Sequence, residues 1–279
     1  MSLGDPPHIE HGDCVDVLPR LPGGCADLVY MDPPFMTGRT QRAAAGAYDD
    51  VWDDVDDWLS FMGARLEASL ACLHESGSIM VHVDWRTSHH VRLWLERRMG
   101  PDAFVNHLIW RYGLGGSSPR RFARKHDDIL FYARGPQYHF EPPMVPATSV
   151  RMAGKLKKAT DVLDVPNINN MAAERCGWPT QKPLALLEML VGAACPPGGL
   201  VIDPFCGSGT TIVAAATLGR RAIGIDRDAG AVELASARVA GTELRASVEA
   251  GSSGSTASAG SAGSADGAER AGAADSSRD

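Results

Sequence analysis

No Cys-x-x-Cys pair occurs among the six cysteines, at positions 14, 25, 72, 176, 195 and 206, and their spacing matches no short secreted framework. That argues against a zinc ribbon or a disulfide scaffold and leaves reduced thiols as the expected state. Long hydrophobic runs are missing as well: the longest, Leu184 to Cys195, is interrupted by Glu188 and is too short to span a bilayer. The first residues contain no basic segment leading into an apolar one. A cytoplasmic protein with no membrane partner is therefore expected. Internal repeats at solenoid or propeller periods are absent too. Nor is there an excess of positive charge, since the formal net charge is −7. That balance disfavours nucleic acid only until it is divided along the chain. Between Arg111 and Lys158 ten Lys or Arg stand against three acidic residues, a local +7. Phosphate binding depends on charge within a Debye length of about 10 Å, so a basic segment on an acidic scaffold is compatible with nucleic acid. A solvated basic loop explains the same letters when they are taken alone.

What is present is a strand and helix alternation. Short apolar runs that end at turns predict buried strands over 27–31, 79–83, 105–112, 129–132, 200–202 and 222–225. Helical spacing of Trp58, Leu59, Met62, Leu66, Leu70 and Leu73 predicts a helix over about 55–75, and further helices are expected over 88–99, 183–194, 210–218 and 230–239. The fold class is α/β: a Rossmann-like, doubly wound, mostly parallel sheet. Residues 134–178 interrupt the pattern with five prolines, clustered basic residues and weak periodicity, and form a candidate recognition insert. The small, polar stretch from Met36 to Ala47 is expected to be a loop that orders on a bound partner. From 243 to 279 the chain is Gly, Ala, Ser and scattered charge, with Val248 its last large apolar residue. Nothing there offsets the entropy of ordering, so a disordered tail follows a folded domain of residues 1–242.

Two turns carry chemistry. Asp203-Pro204-Phe205-Cys206-Gly207-Ser208-Gly209-Thr210-Thr211 joins one predicted strand to the next helix. At such a strand end glycines let the backbone approach a ligand, and the helix N-terminus offers free N–H groups. Asp226 follows Gly207 by 19 residues, at the end of the next strand, where a carboxylate accepts hydrogen bonds from ribose hydroxyls. An adenosine-containing ligand is thus expected. No Lys-Ser/Thr pair follows the glycines, which argues against a Walker loop, and Ile212 occupies the place of the third glycine in a dinucleotide fingerprint. Just before the helix at 183–194, Thr180 and Lys182 of Thr180-Gln181-Lys182-Pro183 suit a ligand carboxylate, although a helix with Pro in its first turn accounts for the same residues. The other turn, Asp32-Pro33-Pro34-Phe35, ends the strand at 27–31. Its two prolines fix φ and leave no N–H of their own to compete for the carbonyls. Histidines 82, 89 and 90 suggest no metal, because adjacent histidines point to different helix faces and no carboxylate set completes a site.

Together these two motifs, about 170 residues apart, resemble the catalytic and cofactor motifs of the amino-methylating DNA methyltransferases. Their order, catalytic before cofactor, resembles the permuted beta group. The similarity runs from about Ile9 to Val239 and includes Gly12-Asp13-Cys14, Ser76 to Asp84, Asn106 to Trp110 and Arg124 to Tyr132. It implies that Asp32 and the Pro33 carbonyl accept both N–H bonds of an exocyclic amine, with Pro34 holding the turn and Phe35 stacking on a flipped base. It also implies S-adenosylmethionine as cofactor. Phe205 would lie near its adenine, with Gly207, Gly209 and Thr210 around it and Asp226 at the ribose. Asp203 would face the methionine amino group, Thr180 and Lys182 would close over the methionine end, and Asp13 would lie at the edge. No covalent intermediate is needed, so Cys206 is read as a small residue in a crowded loop.

Duplex DNA is the implied substrate. Arg111, Arg120, Arg121, Arg124, Lys125, Lys155, Lys157 and Lys158 are expected to follow phosphate, and residues 134–178 to read bases in the major groove. Asp at the head of the tetrapeptide implies adenine N6, whereas members that methylate cytosine N4 more often begin with Ser. The competing readings are cytosine N4, a silent DNA-binding subunit, and an RNA or small-molecule methyltransferase. A homodimer and a cognate restriction endonuclease are further partners that the resemblance allows and the sequence does not decide.

Overall fold

The computed structural model describes residues 3–113, 117–169 and 171–253. In chain order its elements are β1 (His8–His11), α1 (Cys14–Val17), β2 (Ala26–Met31), β3 (Arg39–Ala43), β4 (Gly46–Asp50), α2 (Val55–Cys72), β5 (Leu73–Val83), α3 (Ser88–Met99), β6 (Phe104–Arg111) and β7 (His126–Ala133). They continue with β8 (Met144–Pro146), β9 (Leu156–Lys158), β10 (Val162–Asp164), α4 (Leu184–Ala194), β11 (Leu200–Asp203), α5 (Thr210–Thr217), β12 (Arg221–Asp226) and α6 (Ala229–Ser253). Eight strands form one sheet in the order β1-β12-β11-β2-β5-β7-β6-β10. All its pairings are parallel except those of β7, which runs antiparallel to both β5 and β6.

The central strands β2, β5, β7, β11 and β12 are buried on both faces, and alternate residues serve opposite cores. Val29 and Met31 of β2 pack with Trp58, Met62 and Leu66 of α2. Leu28 and Tyr30 pack on the other side with Leu186, Leu187 and Val191 of α4. Each such large apolar side chain stabilises the fold by roughly 1.5–3 kcal/mol. Helices α1 to α3 therefore cover one face, and α4 to α6 the other. Local chemistry sets the ends: Asp54 caps α2 by accepting the N–H groups of Asp56 and Asp57, each at 2.9 Å. Among the described residues no helix is long and apolar enough to cross a membrane.

Three segments differ from the sequence expectation. The stretch from Met36 to Ala47, expected as a loop, contains β3 and the start of β4, paired as an antiparallel hairpin. Residues 134–178, expected to be irregular, hold some regular structure. They contain the small hairpin β8–β9, the edge strand β10, and Val165 and Ile168, which are buried. Trp110 secures that return by donating its indole N–H to the Val165 carbonyl at 2.8 Å. Helix α6 runs to Ser253, past the boundary expected at 242, while residues 254–279 of the expected tail lie outside the described residues.

The reversed strand matters most for function. Because β7 is antiparallel, its first residue lies at the same rim as the carboxyl ends of the other strands. The connection from β6 to β7 thus arrives beside the turns that follow β2, β5, β11 and β12.

Candidate active site

A cavity of about 550 Å³ opens at this rim, within the usual range for small-ligand sites. One wall is the turn after β11. Gly207 and Gly209 hold φ of 47° and 75°, values that L side chains rarely adopt, and this lets the turn fold back into α5. Gly207 donates its N–H to Asp226 Oδ2 at 2.8 Å, and Asp228 donates to Oδ1 at 2.9 Å. Burial raises the Asp226 carboxyl above its ordinary value although both backbone bonds oppose the shift. The first turn of α5 presents N–H groups that no helical carbonyl can reach. Thr210 lines the cavity, but its hydroxyl is occupied by Ser208 and by Arg238.

Asp203 ends β11 almost wholly buried, accepting the Phe205 N–H at 3.0 Å. Burial pushes its carboxyl up to about 7, against the Thr211 hydroxyl and the Phe205 N–H. Phe205 meets Phe61 at 6.1 Å between ring centroids, giving the cavity an aromatic side. Asp13 also lines it, but its carboxylate already caps α1 through Val15 N–H and pairs with Arg65. Opposite lie Trp178 and Thr180, and the Thr180 hydroxyl meets Tyr48 of the hairpin at 3.2 Å.

Asp32 follows β2 directly. Lys182 Nζ reaches its Oδ2 at 2.5 Å and lies 5.1 Å from the Phe35 ring centroid. Lys182, expected at a ligand carboxylate, is here the partner of the catalytic candidate. The Pro34 carbonyl accepts the Trp58 indole N–H at 2.9 Å. Asp32 and Pro34 line the cavity with the buried Pro33 between them, and among the described residues no hydrogen-bond donor meets the Pro33 carbonyl.

Beneath Phe35 lies a buried polar chain. His82, wholly buried, stacks against Phe35 at 5.8 Å. Its Nδ1 meets the Tyr30 hydroxyl at 2.7 Å and its Nε2 meets Asp127 Oδ2 at 3.2 Å. Tyr112 donates its hydroxyl to the other Asp127 oxygen at 3.0 Å. Burial works to raise Asp127, but the bond and charge of His82, the charge of Lys182 and the Tyr112 bond leave its carboxyl below the ordinary value.

Sequence reasoning missed Asp50, Tyr48, Trp178, Arg65 and the His82–Asp127 pair. Asp50 is wholly buried and accepts Met36 N–H and Thr37 N–H, each at 2.8 Å, the Thr37 hydroxyl at 2.6 Å and the Trp52 indole N–H at 2.9 Å. It thereby fixes the two residues after the tetrapeptide, including Met36 at a φ of 59°. Non-glycine residues in that region cost about 1–3 kcal/mol and need such support. Thr180, with φ of 57°, is the other non-glycine residue in this region among those described.

The basic residues divide into two groups. Arg120, Arg121, Arg124 and Lys125 lie on the rim connection between β6 and β7, and Arg111 lies at its root, paired with Asp164. Lys157 and Lys158 lie on β9, with Lys155 beside it, in a hairpin that joins β10 at the sheet edge and contributes nothing to the cavity lining.

A family model described as DNA methylase, of the N6/N4 type, matches residues 26–237. Type II methyltransferase M.ScaI of Streptomyces caespitosus is 28% identical over 233 residues, covering 77% of this chain and 75% of that protein. The structure of the M1.HpyAVI–SAM complex superposes with a TM-score of 0.58 at 20% identity, covering 83% of this chain and 98% of that one. PvuII DNA methyltransferase, which is cytosine-N4-specific, gives 0.64 at 16% identity, covering 85% and 91%. At these identities the two structures speak to the fold, and the family model to kinship. The chain belongs to the N6/N4 family of DNA methylases.

Proposed function

We propose that this chain transfers a methyl group from S-adenosylmethionine to the exocyclic N6 of an adenine flipped out of duplex DNA. The observation that carries the reading is Asp32, held by Lys182 on the wall of a cavity whose charges suit a nucleoside joined to an amino acid, with the unengaged Pro33 carbonyl directly after it. Asp226 suits a ribose diol, and the two phenylalanines suit a flat base. Asp203 is a buried carboxyl whose ionised form a ligand ammonium would stabilise, and Lys182, already paired with Asp32, is a cation that a ligand carboxylate could share. When bound, S-adenosylmethionine supplies an electrophilic methyl group on a sulfonium centre.

The protein's own residues supply the rest. An exocyclic amine is a poor nucleophile because its lone pair is delocalised into the ring. By accepting both N–H bonds, Asp32 and Pro33 draw the nitrogen toward tetrahedral geometry and expose the lone pair. The nitrogen gains a methyl group and loses one proton, which the Asp32 carboxylate is positioned to accept. Phe35, supported from below by His82, offers a stacking face worth about 1–3 kcal/mol. Thr180, Gly207 and the first turn of α5 complete the cofactor wall, with Gly209 packed behind it against Ala235 of α6. A duplex base reaches such a site only by leaving the stack.

Arg111, Arg120, Arg121, Arg124 and Lys125 follow the DNA backbone along the rim. Lys155, Lys157 and Lys158 extend that footprint from the hairpin, and residues 134–161 are our candidate for base readout. The designation of the relative M.ScaI as a Type II methyltransferase supports a modification enzyme with a restriction endonuclease as its counterpart.

The test is mass spectrometry of nucleosides from unmethylated DNA incubated with S-adenosylmethionine and the protein, with Asp32→Ala as control. N6-methyladenine from the parent alone is expected, with cofactor binding retained in the variant. N4-methylcytosine would keep the family and reverse the choice of base. Unchanged turnover by Asp32→Ala would defeat the mechanism.

A further inference from the structure

Residues 117–125 occupy the rim between β6 and β7, and within them Phe122 stands 98% exposed. One exposed apolar side chain is ordinary on a protein surface. This one has unusual neighbours: Arg120 and Arg121 precede it, and Arg124 and Lys125 follow it. The segment is also held in place. Arg124 lies over the Trp85 ring, 3.3 Å from its centroid, and Trp85 follows the end of β5. Lys125 Nζ donates to the Gly113 carbonyl at 3.0 Å, and Tyr112 N–H donates to the Lys125 carbonyl at 3.0 Å. Those closing contacts continue through Tyr112, Asp127 and His82 to Phe35, so the base of the segment is linked to the catalytic turn.

A bare aromatic ring among four cations matches a polyanion that carries flat apolar faces inside it. Duplex DNA is that partner: phosphates attract the cations, and base pairs accept a ring between them. Resting on the function proposed above, we propose that Phe122 is the wedge that enters the duplex and fills the gap left by the flipped base. Phe35 and Phe122 then divide the work. The first stacks on the extruded base, and the second replaces it in the helix. A filled gap restores the stacking that extrusion removes and slows the base's return.

The target site is first located by sequencing DNA methylated by the parent enzyme. Two synthetic duplexes containing that site are then compared, one fully paired and one with an abasic nucleotide opposite the target base, which is already free to leave. Phe122→Ala is expected to methylate the paired duplex about tenfold more slowly, the size of one missing base–aromatic stack. On the abasic duplex its rate should return close to that of the parent. Phe122→Trp, which keeps a ring, should hold the parent rate on both. A Phe122→Ala rate unchanged on paired DNA, or equally slow on both duplexes, would overturn the wedge. If the parent methylates no DNA, it is the activity reading that fails, a result distinct from either.

Discussion

Asp203 is the carboxylate whose surroundings make the clearest demand. With its folded value pushed up to about 7, the native protein holds a proton that the unfolded chain releases, across the window from about 4 to 7. Stability is therefore fully present below that window and is lost as pH rises through it. A shift of about three units corresponds to at most roughly 4 kcal/mol. Asp203→Asn should consequently melt higher than the parent at pH 8, and the gap should close by pH 4 in scans of the ligand-free protein. A gap independent of pH would refute the assignment. The same substitution should weaken cofactor binding, because the anion for the ligand ammonium is gone. At Asp50 the expectation is different. Asp50→Asn places an amide where a carboxylate accepts from Met36, Thr37 and Trp52, and it should lower kcat about tenfold or more by loosening the turn that carries Asp32 and Phe35. Cofactor affinity by calorimetry should change far less than kcat; an equal loss in both would make Asp50 a general structural residue. Asp50 was hidden in the sequence because it sits in an acidic stretch with Asp49, Asp53, Asp54, Asp56 and Asp57, and nothing local marks which of them is buried.

Among elements, the hairpin β3–β4 decides how closed the cavity is. A Cβ on Gly46 would lie 2.2 Å from a Trp178 ring carbon, so the hairpin presses directly on that wall. Gly46→Val should lift it at a cost of about 1–3 kcal/mol and weaken cofactor binding about tenfold, measured by calorimetry. Unchanged affinity would mean that the hairpin is not part of the cofactor wall. The hairpin was illegible for a plain reason: Arg39-Thr40-Gln41-Arg42-Ala43 has no alternating apolar face, and its partner strand ends in two aspartates. By contrast, β2, β11, β12, α2, α3 and α5 were readable because strands buried on both faces are apolar runs and their helices keep a continuous stripe. β10 escaped because three residues at a sheet edge carry too little pattern, and β5 reaches back to Leu73 only through a register shift opposite Ala26 and Leu28. The glycine turn and the tetrapeptide were legible as strings. The ion pair joining Lys182 to Asp32 was not, since 150 residues separate them.

At the scale of the whole molecule, the proposed function has an acidic protein meeting DNA through a basic rim. Replacing Arg120, Arg121 and Lys125 with Ala should reduce the slope of log affinity against log salt by about 0.9 for each phosphate no longer neutralised, read by fluorescence anisotropy on duplex DNA. An unchanged slope would remove these residues from the interface. The sheet also joins distant parts of the chain. β1 pairs with β12, placing His8 beside Ile223, and β2 pairs with β11, placing Val29 beside Ile202. Catalytic and cofactor turns thus become neighbours only through pairings that span most of the polypeptide. During synthesis the tetrapeptide leaves the ribosome before β11 and β12, the strands whose turns it must meet. A nascent chain therefore has no complete cavity until Asp226 has been added, so the cavity forms in one step rather than by degrees.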